Sequence, residues 1–296
     1  MTFQVSTDTS HPDGSFPIWQ NCCYDGMTMA LHIIVCIKST PSSTNLGIDP
    51  ATGLPKTAGV PLTINPFDEF ALEEAVRLKE RVPGSTTTAL TVGPESASEV
   101  LREAIARGID SGVIVTGPEF DGSDAFAASL ALSAAIKKIH ADKPVHLVVF
   151  GKNTSDVGAG VVGTQTGAWL DWPSVSAVKK IDAIDEQSVT VLRMMEDGVD
   201  TLKLALPACV CTVKEINEPR LPSLKGKMAS KKAVFAKWTA TDLGLQPQQV
   251  GTSGSGTKLL KATLPPPRPG GLRIDGGSPA EKAAKLVDIL VERKLI

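Results

Sequence analysis

The chain has 296 residues, 42% of them hydrophobic, and sets 30 Lys and Arg against 32 Asp and Glu for a formal charge of −2. That length can bury a substantial core, as one large domain or two small ones. Near-neutral charge gives no global electrostatic case for nucleic acid, and no apolar run approaches the ~20 residues of a membrane-crossing helix. Residues 1–28 are polar and rich in Ser, Thr, Asp and Pro. They lack the apolar centre of a secretory signal and the arginines of a mitochondrial presequence. They are expected to form a disordered tail, or to precede a start near Met27 or Met29.

Strand-like and helix-like segments then alternate. Residues 31–37, Leu-His-Ile-Ile-Val-Cys-Ile, are apolar almost throughout, as in a central parallel strand covered on both faces. Residues 68–81 place Phe70, Ala71, Ala75 and Leu78, with Val82 beyond, at helical spacing, and Glu73, Glu74, Arg77 and Lys79 are expected to point outward. Residues 86–92, 112–116 and 145–150 read as further strands. Residues 96–107 and 124–139 read as helices, the first ending where Gly108 supplies a left-handed cap. Such alternation predicts a parallel sheet with helices on both faces.

From Pro173 the pattern changes. Residues 174–180, 188–194 and 201–206 read as short strands joined by turns at Asp185-Glu186 and Glu196-Asp197-Gly198, hence hairpins added to the sheet. Residues 252–277 are rich in Gly, Ser and Pro and read as an extended arm. A last amphipathic helix over 279–294 presents Ala283, Leu286, Val287 and Leu290 on one face. On this division, residues 29–240 form the α/β domain and 241–296 the arm and helix. A helix on a long arm is expected to pack on another chain.

Five cysteines make no framework in a chain of this length. Cys209 and Cys211, two apart on a strand, face one side, and no second pair or His cluster completes a metal site. Burial as reduced thiols and a cytoplasmic compartment are the expectation.

Open α/β sheets bind ligands beyond the carboxyl ends of their strands. Three segments meet that edge: Cys36-Ile37-Lys38, Ile64-Asn65-Pro66-Phe67-Asp68, and the loop from Gly151-Lys152 through Asp156-Val157-Gly158-Ala159-Gly160-Val161-Val162-Gly163. Small residues let backbone N–H groups approach a phosphate, the helix that follows adds partial positive charge, and Lys152 could add a full one. The spacing fits neither the P-loop nor the dinucleotide fingerprint, and no nucleophile–base set accompanies it. The residues support a nucleotide-binding module without bond-making chemistry. Residues 215–232 follow a strand that two prolines terminate, and they read as a solvated basic loop in which Leu224 is an isolated apolar peg.

The block Asn65-Pro66-Phe67-Asp68-Glu69-Phe70-Ala71-Leu72-Glu73-Glu74-Ala75 resembles one of the beta subunits of electron transfer flavoproteins. So do Asp171-Trp172-Pro173, Arg193 with Glu196-Asp197-Gly198, Leu206-Pro207-Ala208, and Asn217-Glu218-Pro219-Arg220 followed by spaced Leu, Met and paired lysines. The resemblance covers about residues 31–296 and weakens through the arm. It implies a Rossmann-like parallel sheet of the adenine nucleotide alpha hydrolase-like type, with added antiparallel strands and an extended C-terminal arm. It also implies an electron carrier rather than an enzyme, paired with an alpha subunit that holds most of a redox FAD. Carried over by position, Cys36, Asn65, Pro66, Phe67, Asp68, Val92, Gly151, Lys152 and Asp156 to Val162 would line an adenine-nucleotide pocket, with Phe67 near the partner's flavin. Leu224, with Met228, Lys231 and Lys232, would dock an acyl-CoA dehydrogenase-type donor of fatty acid β-oxidation, and a quinone-linked acceptor would take the electrons.

Two branches of that family differ in the pocket: simple carriers bind AMP, and bifurcating members bind a second FAD. Gly122-Ser123-Asp124, Val162-Gly163 and Pro222-Ser223-Leu224-Lys225-Gly226 resemble the second branch, but Ala125, Ala159 and Val161 replace its polar residues, and Val157-Gly158-Ala159-Gly160 replaces the simple carriers' own Asp- and Asn-rich loop. Valine cannot donate a hydrogen bond to phosphate, which favours AMP. A module acting on ATP itself needs a glycine-rich loop after the first strand, where this chain has Lys38-Ser39-Thr40-Pro41-Ser42-Ser43.

Overall fold

The computed structural model describes residues 30–43, 46–49, 55, 56, 59–260, 262–264, 266 and 270–296; the expected tail over 1–28 lies outside them. The described residues fall into two units, one within 30–43 and 59–258, the other within 46–56 and 259–296.

In the first unit, β1 (His32–Cys36) is buried along its whole length, which is why its sequence does not alternate. It pairs in parallel with β4 (Thr86–Val92) on one side and β6 (Leu147–Gly151) on the other. Beyond β4 lie β5 (Ser111–Val115) and the short edge strand β11 (Ala236–Trp238). Beyond β6 comes β10 (Ala208–Thr212), then β7 (Ser174–Ile184), both parallel to their neighbours. Finally β8 (Ser188–Met194) and β9 (Val199–Ala205) add antiparallel hairpins, as the turn signals predict. A small antiparallel pair, β2 (Ser39–Pro41) with β3 (Leu62–Ile64), stands apart from the main sheet. The chain leaves β1 for β4 on one side and returns to β6 on the other, so the topological switch point lies at β1.

Alternate side chains build two cores. Ile33 and Val35 pack with Leu72, Val76 and Leu78 of α1 (Pro66–Arg81) and with Leu101 of α2 (Ser98–Arg107). Ile34 and Cys36 face Leu132 and Ile136 of α3 (Ala125–Asp142) and Leu170 of α4 (Val162–Leu170). Gly108, at φ 117°, caps α2 in the left-handed region that its missing Cβ permits. Cys36, Cys209 and Cys211 are all buried on the α3–α4 side, where burial pushes their thiols up and keeps them protonated.

Three expectations need correction. Glu73 and Glu74, read as outward, are buried, because distant residues of the chain cover that face of α1. Residues 224–232 are not loop but a helix, α5 (Leu224–Lys232), started by the Ser223 hydroxyl, which accepts from the Gly226 amide. Residues 241–258, read with the arm, belong to the first unit, where Val250 is fully buried and α6 (Gly251–Gly254) follows.

The second unit contains α7 (Pro279–Glu292), whose start is fixed by reciprocal capping between Ser278 and Glu281. None of its residues is buried, and Leu286, Val287 and Val291 all stand exposed. Among the described residues no helix is long and apolar enough to cross a membrane.

Candidate nucleotide crevice and docking helix

The switch point opens at the carboxyl ends of β1 and β6, and four polar side chains tie its walls together. Lys38, just past β1, is the hub. Its amide donates to Asp68 Oδ2 at 2.7 Å, its carbonyl accepts from the Asn65 amide at 2.9 Å, and its Nζ meets Asp156 Oδ2 at 2.6 Å. Asn65 is fully buried just before α1. Its Nδ2 donates to the Asn153 carbonyl at 2.8 Å and its Oδ1 accepts from the Ser155 amide at 3.1 Å, which fastens the loop after β6 to the start of α1.

Asp68 lies in the first turn of α1 and is buried beneath the crevice. Burial pushes its carboxyl up to about 7, although the Lys38 amide donates to it and the nearby polar groups of Asn65 and Gly151 and the Lys38 charge oppose the rise. Gly151 must be glycine: a Cβ would collide with Asp68 Oδ1 and with the backbone of Phe67. Here the strand end, helix start and carboxylate touch directly.

The loop from Lys152 to Val161 folds over this floor with Gly158 at φ 74° and Gly160 at φ 66°, both left-handed. Val157, Ala159, Gly160 and Val161 are exposed along it, and Val162 begins α4. No side chain caps that helix, and the amides of Val162, Gly163 and Thr164 precede its first internal bond, Gln165 N to Val161 O. Gly163 lets α4 lie close over Cys211 and Phe150, since a Cβ would collide with Cys211 Sγ. Lys152 is exposed and uses its backbone amide on Thr212 O at 2.9 Å. Cys36 is buried, and Val92 half-buried, at the ends of the neighbouring strands β1 and β4. Pro66 is exposed and Phe67 half-buried at the mouth.

Two left-handed glycines and the uncapped, positive end of α4 border this crevice, an arrangement that favours an anion over a cation. It offers no nucleophile with a base, and among the described residues no cluster could hold a metal ion. A cleft of about 550 Å³ lies at the opposite, amino-terminal edge, lined by His32, Thr88, Lys138, Lys143 and Trp238 among others. Its two lysines are already engaged, Lys143 with Thr86 Oγ1 at 2.6 Å and Lys138 with the Asp242 carbonyl at 2.8 Å.

Away from the crevice, α5 carries Leu224 and Met228 four residues apart on one face, 78% and 64% exposed. Leu221, just before it, is also bare. Lys231 and Lys232 close the helix at its negative end, exposed. Sequence reading missed the Lys38–Asp156 and Asn65–Asn153 ties, which link residues 118 and 88 apart and leave no local pattern.

The model of the electron transfer flavoprotein domain matches residues 55–243. The chain is 37% identical to the caffeyl-CoA reductase–Etf complex subunit CarD of Acetobacterium woodii, over 90% of this chain and 100% of that protein. It is 34% identical to the electron transfer flavoprotein subunit beta of Megasphaera elsdenii over the same shares. Protein FixA of Azotobacter vinelandii is 36% identical, over 80% of this chain and 85% of FixA.

Proposed function

The chain belongs to the electron transfer flavoprotein family as a beta-type subunit, an electron carrier rather than an enzyme, and from that premise we propose that its carboxyl-edge crevice holds AMP. The redox FAD is then held mainly by an alpha subunit, with Phe67 facing it. Electrons pass from an acyl-CoA dehydrogenase-type flavoenzyme, docked on Leu224 and Met228, to a quinone-linked acceptor. The exposed apolar face of α7, with the arm before it, packs on the alpha subunit. Three buried free thiols among the described residues suit a reducing, cytoplasmic compartment.

The observation that carries this reading is the three-segment junction at Lys38, Asn65 and Asp156, which fastens the loop carrying the left-handed Gly158 and Gly160 ahead of the uncapped start of α4, where a nucleotide phosphate would rest. A monophosphate is favoured over the diphosphate of a second FAD. Asp124, in the block that resembles the two-FAD branch, is spent on structure: Oδ1 accepts from the Phe126 and Ala127 amides and Oδ2 from Thr257. Ala125, Ala159 and Val161 add no side-chain donor beside it.

Denaturing the purified heterodimer and quantifying what it releases tests the reading. One FAD and one AMP per heterodimer is the expected result. Two FAD would make this a bifurcating carrier, and a stable heterodimer holding no adenine nucleotide beyond the shared FAD would refute the crevice assignment.

A further inference from the structure

A dense cluster of ion pairs lies far from the crevice, on the flank of α1, and it grips the segment that leads into α5. Glu73 and Glu80, two turns apart on α1, both receive Arg220. The Arg220 amide and Nε donate to Glu73 Oε2 at 3.1 and 2.8 Å, and Nη2 donates to Glu73 Oε1 at 3.0 Å. Nη1 and Nη2 reach Glu80 Oε1 and Oε2 at 2.6 and 2.9 Å. Arg77 adds a bond to Glu73 Oε1 at 2.9 Å. The Glu73 side chain is only 4% exposed. Burial alone would push its carboxyl up, but the bonds from Arg220 and Arg77 prevail and hold it below the usual carboxylate range. One step earlier in the segment, Asn217 Nδ2 donates to the Phe70 carbonyl at 3.0 Å and to Glu74 Oε2 at 3.1 Å.

The segment so gripped contains Pro219 and Pro222 and has no strand ladder of its own. The helix it delivers is equally short of other support. Ser230 is the only buried residue of α5, and nine residues do not hold a helix by propensity alone. Polar ties replace the missing core. The Ser223 amide donates to Ala106 O at 3.2 Å, and Gly226 lies so close to α2 that a Cβ would collide with that carbonyl. Arg102 Nη1 donates to the Ser230 and Ala233 carbonyls at 2.9 and 3.3 Å, completing the far end of the helix. Every one of these ties faces α1 or α2, and each leaves Leu224 and Met228 bare.

An apolar peg on a loose segment would lose ordering entropy each time a partner docked; a peg on a fastened helix has already lost it. We propose that Arg220, seated on Glu73 and Glu80, is a positioning residue that presents Leu224 and Met228 in docking-ready form to the flavoenzyme partner. This rests on the docking role given to α5 above. Arginine suits the task because its planar fork reaches both oxygens of each of two carboxylates, four bonds that the three donors of an ammonium cannot match.

The test uses the intact heterodimer carrying Leu224→Ala, Arg220→Ala, Arg220→Lys, or Leu224→Ala with Arg220→Ala. Steady-state reduction by a purified short-chain acyl-CoA dehydrogenase is read beside amide exchange and flavin content. Leu224→Ala and Arg220→Ala should each raise KM for the dehydrogenase on the order of tenfold, with kcat and flavin content unchanged. Arg220→Lys should recover only part of the loss. The double variant should be clearly less than additive, adding to Leu224→Ala only the loss that Arg220→Ala causes through Met228. Exchange at amides 225–232 should quicken in Arg220→Ala while β1 and β6 stay protected.

If Leu224→Ala raises KM but Arg220→Ala leaves both KM and exchange as in the wild type, the positioning role is overturned and the docking role stands. If Leu224→Ala leaves KM unchanged, both fall together. Should Arg220→Ala fail to assemble, Glu80→Gln loosens only the exposed half of the clamp. It should raise KM severalfold, and an unchanged KM would again overturn the proposal.

Discussion

The crevice and the docking helix are both mounted on α1, yet they are finished in opposite ways. At the first turn of α1, Asn65 and Asp68 consume their polar atoms on backbone groups of the neighbouring loops, and what is left there is the uncapped first turn of α4 with its unbonded amides. Further along the same helix, Glu73, Glu74 and Glu80 consume the polar atoms of residues 217–220, and what is left is leucine and methionine. The polar atoms are used in both regions to hold the chain still. The remainder decides the ligand: amides favour an anion, and bare apolar side chains favour a protein surface.

The two regions should therefore fail separately. Asp68→Ala has the largest expected effect, because it strands the Lys38 amide at a cost of about 1–3 kcal/mol and leaves a void beneath the crevice. Urea unfolding should show that loss of stability and the purified heterodimer should lose its AMP. KM for the docking dehydrogenase should stay at its wild-type value in whatever protein remains folded, and a matching rise in KM would mean that the regions are not independent.

Asp68→Asn, which keeps the shape, sharpens the same point through pH. The folded carboxyl titrates near 7, above its ordinary value of 3.8, so between those values the folded chain holds a proton that the unfolded chain has released. Its contribution to stability is thus greatest at low pH, declines as pH rises towards 7, and levels off above. The wild type's stability relative to Asp68→Asn should be more favourable at pH 5 than at pH 8. A difference independent of pH would contradict the burial argument.

Lys38→Ala should have the smallest effect. Its Nζ pairs with Asp156 in a partly exposed setting, 40% and 26% by side chain, so stability should change by less than about 1 kcal/mol. The loop it steadies should bind AMP a few fold less tightly by calorimetry, with the wild-type advantage shrinking as salt is raised.

Much of the fold is legible in the sequence because burial on two faces leaves a strong mark. The apolar run of β1, the Gly108 cap and the turns between β7, β8 and β9 all appear where their residues place them. The segments that converge at the crevice could also be named, since a strand end followed by small residues is a local pattern. What could not be read depends on distant partners. Glu73 and Glu74 look solvent-facing until Arg220 and Asn217 arrive from more than 140 residues away. Residues 224–232 look like loop because their lysines and glycine carry no core stripe; the helix is secured by α2 and Arg102 instead. Strands β2, β3 and β11, three residues each, are too short to show a period.

The most direct test of the central assignment is photolabelling of the nucleotide-stripped heterodimer with an azido-adenosine monophosphate, followed by peptide mapping. The account predicts label within residues 64–68 or 151–163, removed by competing AMP. Label concentrated instead at Thr88, Lys138 or Trp238, in the cleft on the opposite edge of the sheet, would contradict it.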